Sequence, residues 1–345
     1  MNADDDPKTL QEAIAHYLSR IDREYSPQTS AAYTQALNLF QQMLHSQLHL
    51  DAWREPVANL STAWGQAYLD YLQRTRSVET EHLYSRALVD FFSHAEKQGW
   101  SAANAADLAA YVAANRRPKE HTVPHPPLEA IDRLLAYVAA APVPAGSHVS
   151  ERERLRVLRD RAFILTLAET GLKVSEVCAL RKHHFRAETR SIRLDDEGPT
   201  LRLTAITAQA IGTYLRERVG LDASQALQPS ADLPLFARHD RRAGKRVLPF
   251  SRWTAMNIIN DWVRLALPAA ERAALEAAGQ HITTQTFRHY FVINTLAQTK
   301  DLAATQALAR HGDLSTTRRY LRALANTQTE SEGAEDESAS DRAVS

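Results

Sequence analysis

Apolar residues recur every three to four positions through most of the chain, which is the spacing of one face of an α-helix. Residues 26–48 begin with a Ser-Pro pair, which is a helix start signal. The apolar residues that follow, including Ala36, Phe40 and Leu44, lie on one face of the predicted helix. The pattern predicts a four-helix unit in the first 115 residues, formed by Leu10–Ile21, the run from Ser26 to Leu48, Val57–Leu72 and the run from Ser77 to Gly99.

The helical pattern stops at residues 115–127, which contain four prolines and charged side chains without an apolar period. Such a composition is typical of a linker between domains. We therefore predict an N-terminal domain at 1–115, a linker at 116–127 and a second domain at 128–325. The remaining residues, 326–345, are polar and acidic and are expected to be disordered.

The second domain is predicted to be helical with one β-hairpin. Two short alternating runs flank Asp195–Pro199 and indicate the hairpin. The predicted helices are Leu128–Ala140, Glu151–Glu169, Ser175–Leu180, Thr207–Val219, Ser251–Leu267, Ala269–Ala278, Thr284–Gln298 and Leu302–Arg310. The expected fold class is mainly α with a small β-hairpin or sheet (α+β).

Composition narrows the class of protein. Apolar residues make up 44% of the 345 residues, and no stretch reaches the roughly 18 uninterrupted apolar residues of a membrane span. The N-terminal residues show neither a basic nor an apolar segment of a secretion signal. A single cysteine, Cys178, fits a reducing compartment. We expect a soluble cytoplasmic protein.

The zero net charge hides a strong asymmetry along the chain. Residues 1–115 carry 8 Lys and Arg against 14 Asp and Glu, and residues 326–345 carry 1 against 6. Residues 116–325 carry 32 against 21. Because the planar fork of arginine suits phosphate oxygens, this arginine-rich segment favours a polyanionic partner. An arginine-rich solvated surface explains the charge equally well at this point.

The chain lacks the sequence patterns of several common kinds of enzyme site. The chain has no HExxH, and its 14 histidines are scattered, so we predict no metal site. It also has no GxxxxGK[ST], GxGxxG or GxSxG pattern, so neither a nucleotide cofactor nor a serine-hydrolase elbow is expected.

A distinctive pattern lies near the C-terminus, where residues 308–322 read LARHGDLSTTRRYLR. For packing alone this is a loop followed by a helix that Asp313 or Ser315 caps. Three other segments precede it: ETGLKVSEVCALR at 169–181, the hairpin, and TTQTFRHYFVIN at 283–294. In order and spacing these pieces resemble the tyrosine recombinase or phage integrase family, with nine positions from His311 to Tyr320 and 23 from Arg288 to His311.

The resemblance implies an N-terminal helical core-binding (SAM-like) domain and a C-terminal catalytic domain that recombine or integrate double-stranded DNA, as enzymes of mobile elements do. Tyr320 would attack a phosphodiester, form a 3′-phosphotyrosine and release a 5′-hydroxyl, without metal or cofactor. Arg288 would clamp the phosphate and His311 would donate to a nonbridging oxygen. Cationic donors are needed there because the transition state gains negative charge on its equatorial oxygens.

Three positions depart from the family pattern. Lys173 stands where the family has its first catalytic arginine, and it keeps the charge but loses the two-pronged geometry. Gln285 replaces a histidine and cannot shuttle a proton. Glu197 lies where the hairpin turn would supply a lysine as general acid, a role that Arg202 or Lys245 could fill by reaching in.

Further basic residues are predicted to contact the DNA backbone. The segment RHDRRAGKR at 238–246 contains a glycine and no valine, leucine, isoleucine, phenylalanine, tyrosine or tryptophan, and is predicted to be a loop that follows phosphates. A purely solvated loop is the alternative. The predicted DNA-binding residues are Arg241, Arg242, Lys245, Arg246, Arg318 and Arg319. We expect self-association on DNA, as a dimer to tetramer, or pairing with a partner recombinase.

Two other functions remain open from the sequence. A catalytically degenerate recombinase fold could bind DNA as an accessory or regulator, as the three departures suggest. A helical interaction protein could use the fold as a scaffold only, although the basic segment argues against this. Each singled-out side chain also has a structural alternative: Tyr320 as a core residue, Arg288 as an ion-pair partner of Glu176 or Asp313, and His311 as part of a helix cap.

Overall fold

The computed structural model describes residues 7–119, 126–146, 148–195, 197–225 and 229–321, which form two compact units before and after residues 120–125. Those six residues of the predicted linker, and the whole predicted acidic tail at 326–345, lie outside the described residues. Among the described helices, none has both the length and the apolar content needed to cross a membrane.

The described part of the N-terminal unit is built from helices and contains no β-strand. Ser26 and Ser77 each accept a hydrogen bond from the backbone N–H three residues ahead, so the predicted start signals mark two of its helices. The helices are Leu10–Glu24 (α1), Pro27–Leu48 (α2), Thr62–Thr75 (α3), Val78–Lys97 (α4) and Ala105–Asn115 (α5).

The prediction of four helices was wrong by one, because α5 was missed. Its sequence is mostly alanine, so the apolar stripe that marks a helix is weak. The structure shows that Asn104 caps α5, and that Leu108 and Val112 anchor it in the core of the unit. The predicted helix Val57–Leu72 is a 3₁₀ turn, Val57–Asn59, followed by α3.

The second unit combines helices with one small sheet, which confirms the predicted fold class. Most predicted helices are present with ends shifted by one or two residues. They are Leu128–Ala140 (α6), Glu151–Thr170 (α7), Val174–Ala179 (α8), Ala205–Glu217 (α9), Val219–Ala223 (α10), Arg252–Ala266 (α11), Ala269–Ala277 (α12), Thr284–Thr299 (α13), Leu302–Ala309 (α14) and 314–321 (α15).

The sheet has three antiparallel strands in the order β1–β2–β3, formed by Phe185–Arg186, Ser191–Ile192 and Leu201–Arg202. Ile192 lies opposite both Phe185 and Leu201, and this register turns the Ile192 side chain into the core. The predicted hairpin is β2–β3. Strand β1 was not predicted, because Phe185 is the single large apolar residue of 181–190 and no alternating run marks it.

Helix α7 is central to the second unit and packs against α6, α9 and α13. Its second half, including Phe163, Ile164 and Leu167, is buried from several sides, as expected for a helix surrounded by others. The helix ends at Gly171, which has a φ of 56° in the left-handed region. The predicted C-cap is therefore confirmed.

Gly171→Ala is expected to destabilise this unit. A Cβ at this position would overlap the ring of Phe291, and the left-handed backbone adds its own cost. Together we expect a loss of about 2–4 kcal/mol in the free energy of unfolding. Urea unfolding measures it, with Gly220→Ala as the control, since a Cβ on α10 meets nothing within 4 Å. Equal stability of the two variants would contradict the packing described here.

Candidate active site

Arg288 on α13 connects the ends of two other helices. Its side chain is buried, with only 4% of the residue exposed, and its Nη1 donates to the carbonyl oxygen of Gly171 at 2.6 Å. Its Nη2 donates to the carbonyl oxygen of Ala309 at the end of α14. Carbonyls at a helix C-terminus lack intrahelical partners, so the guanidinium satisfies both ends. It does not pair with Glu176 or Asp313, which was the structural alternative.

Tyr320 lies on α15 and is 3% exposed. Its ring packs on an apolar cluster of α13 and α14 that includes Val292, Ile293 and Ala309. The hydroxyl oxygen lies 2.7 Å from Nδ1 of His289. Burial raises the pKa of Tyr320 to about 12, against the opposing charges of Arg288 and Arg319. The ring is thus a core residue, while the hydroxyl meets a polar, cationic group of side chains.

His311 lies beside this hydroxyl in the turn between α14 and α15. Its ring is stacked on the Tyr320 ring, with centroids 6.0 Å apart and an angle of 16° between the planes. Nδ1 of His311 lies 2.9 Å from the hydroxyl oxygen of Thr317. Burial first, and then the charges of Arg288 and Lys173, lower the pKa of His311 to about 4. The imidazole is therefore neutral at pH 7.

Lys173 is exposed at the start of α8, and its charge contributes to the lowered pKa of His311. Its backbone N–H donates to Oε2 of Glu176 at 2.6 Å. Arg310 Nη2 donates to the same carboxylate oxygen at 2.8 Å. Glu176 therefore holds the segment of Lys173 against the turn of His311. The sequence did not point to Arg310, because an arginine before a histidine carries no signal of its own.

The other two departures from the family pattern are exposed. Gln285 lies in the first turn of α13 and lines a small cleft with His281 and His289. Glu197 lies in the turn between β2 and β3. Within the described ranges, no hydrogen bond or ring contact joins either side chain to Tyr320. Their predicted roles therefore stay predictions.

The sheet has a basic surface that includes a candidate substitute for the missing lysine. Arg202 is exposed on β3 and lines a surface cleft with Arg186 and Arg193. Nη2 of Arg193 donates to the hydroxyl oxygen of Thr200 at 3.0 Å, which fixes this guanidinium across the hairpin. Such a surface suits an anion such as phosphate.

The predicted basic loop is a compact turn with exposed cations. Asp240 Oδ1 accepts the backbone N–H groups of Arg242 and Ala243 at 2.9 and 3.1 Å. The ion pair with Arg238, first of all, lowers the pKa of Asp240 to about 2. The turn leaves exposed the four predicted DNA-binding residues Arg241, Arg242, Lys245 and Arg246.

Trp253 accompanies these cations and was missed from the sequence. It is 75% exposed at the start of α11 and lines the same surface cleft as Arg241 and Arg242. A lone tryptophan in a helical pattern normally indicates a core residue, so only the fold shows its exposure. Arg318 and Arg319 are also exposed, on the outer face of α15.

Comparison with known proteins agrees with these observations. The sequence profile described as the Phage integrase family matches residues 148–327, which is more than half of the chain. The chain is 28% identical over 302 residues to the tyrosine recombinase XerC of Pelobacter propionicus, a match that covers 87% of this chain and 86% of that protein. It is 30% identical over 169 residues to XerD of Pseudomonas aeruginosa, covering 47% of this chain and 49% of that one.

Solved structures share the fold. The Tn1549 transposon integrase, in complex with a circular intermediate DNA, has a TM-score of 0.60 at 16% identity and covers 91% of this chain and 95% of that one. A lambda integrase dimer bound to a COC′ core site has a TM-score of 0.56 at 15% identity, with coverages of 90% and 95%. On the profile match and this shared fold, the chain belongs to the phage integrase family, the tyrosine recombinases.

Proposed function

We propose that this tyrosine recombinase performs site-specific recombination on double-stranded DNA. Tyr320 attacks a phosphodiester and holds the cut strand as a 3′-phosphotyrosine, and a 5′-hydroxyl later rejoins the strand. The observation that carries the proposal is the position of the Tyr320 hydroxyl. It meets His289, with His311 stacked on its ring and the charge of Arg288 acting on it. Two segments are brought together here: Arg288 and His289 lie on α13, and His311 and Tyr320 lie within 311–320.

The electrostatics of the cluster suit a phosphate. A phenol attacks an anionic phosphorus only if the charge that builds on the nonbridging oxygens is stabilised by fixed donors. Arg288 is held rigid by two carbonyl oxygens, and the charges of Lys173 and Arg310 also act on the His311 ring. We assign Arg288 and His311 to the phosphate oxygens, with Lys173 as a further cation.

The proposed partner is double-stranded DNA, on which several protein subunits assemble. The lambda integrase neighbour is a dimer bound to a core site, and the relative XerC is a tyrosine recombinase. We propose that copies of this chain assemble on DNA in the same manner, or together with a partner recombinase. We also propose that the protein acts in the cytoplasm, which its single cysteine and its DNA substrate support.

Covalent capture tests the function on DNA that contains the target among many other sequences. The full chain is incubated with sheared genomic DNA of the organism that encodes it, and the complexes are denatured and washed. DNA that stays attached and shares one recovered sequence is the expected result. DNA that binds natively but is lost on denaturation would contradict cleavage and favour the degenerate DNA-binding alternative.

The basic loop makes a separate prediction about affinity. The double variant Arg241→Gln/Arg242→Gln is expected to lower the slope of log affinity against log salt by about 2, because two phosphate contacts are lost. DNA binding measured from low to physiological salt gives this slope. The matched control is Arg216→Gln/Arg264→Gln, which removes two exposed arginines elsewhere in the same unit. An equal decrease in both would contradict a specific role of the loop.

A further inference from the structure

The ring of His289 faces the reactive hydroxyl of Tyr320. His289 follows Arg288 on α13, and its ring centroid lies 5.6 Å from that of Tyr320, with the planes inclined at 42°. Its Nδ1 is within hydrogen-bond distance of the Tyr320 oxygen, at 2.7 Å. Family resemblance assigned no role to this residue. In the described ranges, it is the side chain that bonds to that oxygen.

The surroundings of His289 keep it neutral. Burial, and then the charge of Arg288, lower its pKa from the ordinary value. The ring of Tyr320 contacts the rings of both His289 and His311. Besides Arg288 and His289, the charged groups that act on His311 or Tyr320 are Lys173, Arg310 and Arg319, and all three are cationic. A neutral imidazole has one nitrogen that donates and one that accepts. Since burial raises the pKa of Tyr320 to about 12, the phenol keeps its proton at rest, and it can donate this proton to Nδ1 in the tautomer that carries its own proton on Nε2.

We propose that His289 is the general base that takes the proton of Tyr320 during strand cleavage. This inference rests on the proposed function. As the Tyr320 oxygen forms its bond to phosphorus, the phenolic proton passes to Nδ1, and the bond from phosphorus to the 5′-oxygen breaks. The 5′-oxygen takes a proton from water. In rejoining, a 5′-hydroxyl attacks phosphorus and gives its proton to water, and the Tyr320 oxygen leaves and recovers its proton from His289.

This assignment also accounts for Gln285. An amide in place of the family's histidine cannot accept a proton, and Gln285 is exposed in the first turn of α13. His289 lies one helical turn further along α13, and its Nδ1 already meets the phenol. The proton-accepting group in this chain is therefore one turn away from the position where the family pattern has a histidine.

A purely structural His289 predicts the opposite kinetic result. If the bond only positioned Tyr320, His289→Gln would keep a near-normal cleavage rate, because the amide oxygen of glutamine can accept the same hydrogen bond but cannot take up the proton. If His289 accepts the proton, His289→Gln is expected to slow cleavage by roughly 100- to 10,000-fold, the usual contribution of general base catalysis. The matched control is His281→Gln, an exposed histidine that lines the same cleft.

The test is single-turnover cleavage of a nicked duplex built from the DNA sequence recovered by covalent capture. Fluorinated tyrosine at position 320, which has a more acidic phenol, is expected to rescue His289→Gln. A sulfur in place of the bridging 5′-oxygen is expected not to rescue it, because sulfur leaves without an acid. As the pH falls below the lowered pKa of His289, the wild-type cleavage rate should fall, because a protonated imidazole accepts no further proton. The rate of His289→Gln should not show this decrease.

Two outcomes overturn the inference while leaving the proposed function intact: wild-type rates in His289→Gln, or rescue by the sulfur substrate. Absence of any covalent adduct in the wild type would instead refute the proposed function. A measurement without DNA determines which of the two residues donates the hydrogen bond between His289 and Tyr320. Nitrogen NMR of the full chain with labelled histidine should show His289 protonated on Nε2 at pH 7 and altered in Tyr320→Phe. A proton on Nδ1 would overturn the proposal.

Discussion

Replacing Tyr320 with phenylalanine is expected to abolish covalent attachment to DNA and to leave non-covalent DNA binding intact. The ring already packs among apolar side chains, so phenylalanine fits the same space. Only the hydroxyl and its bond to His289 are lost, which costs about 0.5–1.5 kcal/mol of stability. Denaturing gels that detect protein-linked DNA measure the loss, and native retention measures the binding.

The neighbouring Tyr290 supplies the control for this variant. Its hydroxyl donates to Asp132 at 2.6 Å, and Tyr290 lies on α13, so Tyr290→Phe removes a comparable hydrogen bond. We expect Tyr290→Phe to keep its adduct. An adduct of normal yield in Tyr320→Phe would show that another residue is the nucleophile.

Arg288→Lys is expected to reduce both cleavage and stability. A fixed donor to a developing oxyanion contributes about 100- to 1,000-fold to the rate, and lysine loses the planar fork that fixes it. Lysine also cannot reach both carbonyl oxygens, and a buried acceptor without a partner costs about 1–3 kcal/mol. Urea unfolding of the same samples measures the loss of stability. The cleavage rate per folded molecule then gives the effect on catalysis separately.

A second buried arginine serves as the control for Arg288. Arg159 is also 4% exposed, and its Nη1 donates to the carbonyl oxygen of Ala237 while its Nε donates to Asp160. Arg159→Lys should destabilise the unit by a similar amount and leave cleavage per folded molecule unchanged. If both variants cleave equally slowly, the effect of Arg288 is structural and its assignment to the phosphate is wrong.

Local signals in the sequence were sufficient for most of the helices. Ser26, Ser77 and Gly171 lie at ends that capping chemistry defines, and the structure places helix ends there. Helix α5 and strand β1 were missed for a different reason. An alanine-rich helix and a two-residue strand gain their stability from neighbouring elements, and a local pattern does not contain those neighbours.

The site could be predicted only in part, because its residues meet through tertiary packing. The spacing of Arg288, His311 and Tyr320 pointed to them through the family resemblance. Nothing local indicated that His289 faces Tyr320, since half the residues of a helix could turn toward a neighbour. The pair of Glu176 and Arg310 likewise joins positions 134 residues apart. The exposure of Trp253 depends on where α11 begins relative to the basic loop.

If the oxygen of Tyr320 forms the bond to phosphorus, peptide mapping of the covalent adduct will find the DNA attached to this residue. Adduct from the genomic capture is digested with nuclease and protease, and the attached nucleotide is located by mass spectrometry. We expect a 3′-linked nucleotide on Tyr320 and a free 5′-hydroxyl on the other DNA end. A nucleotide on any other residue, or a 5′-linked one, would contradict it.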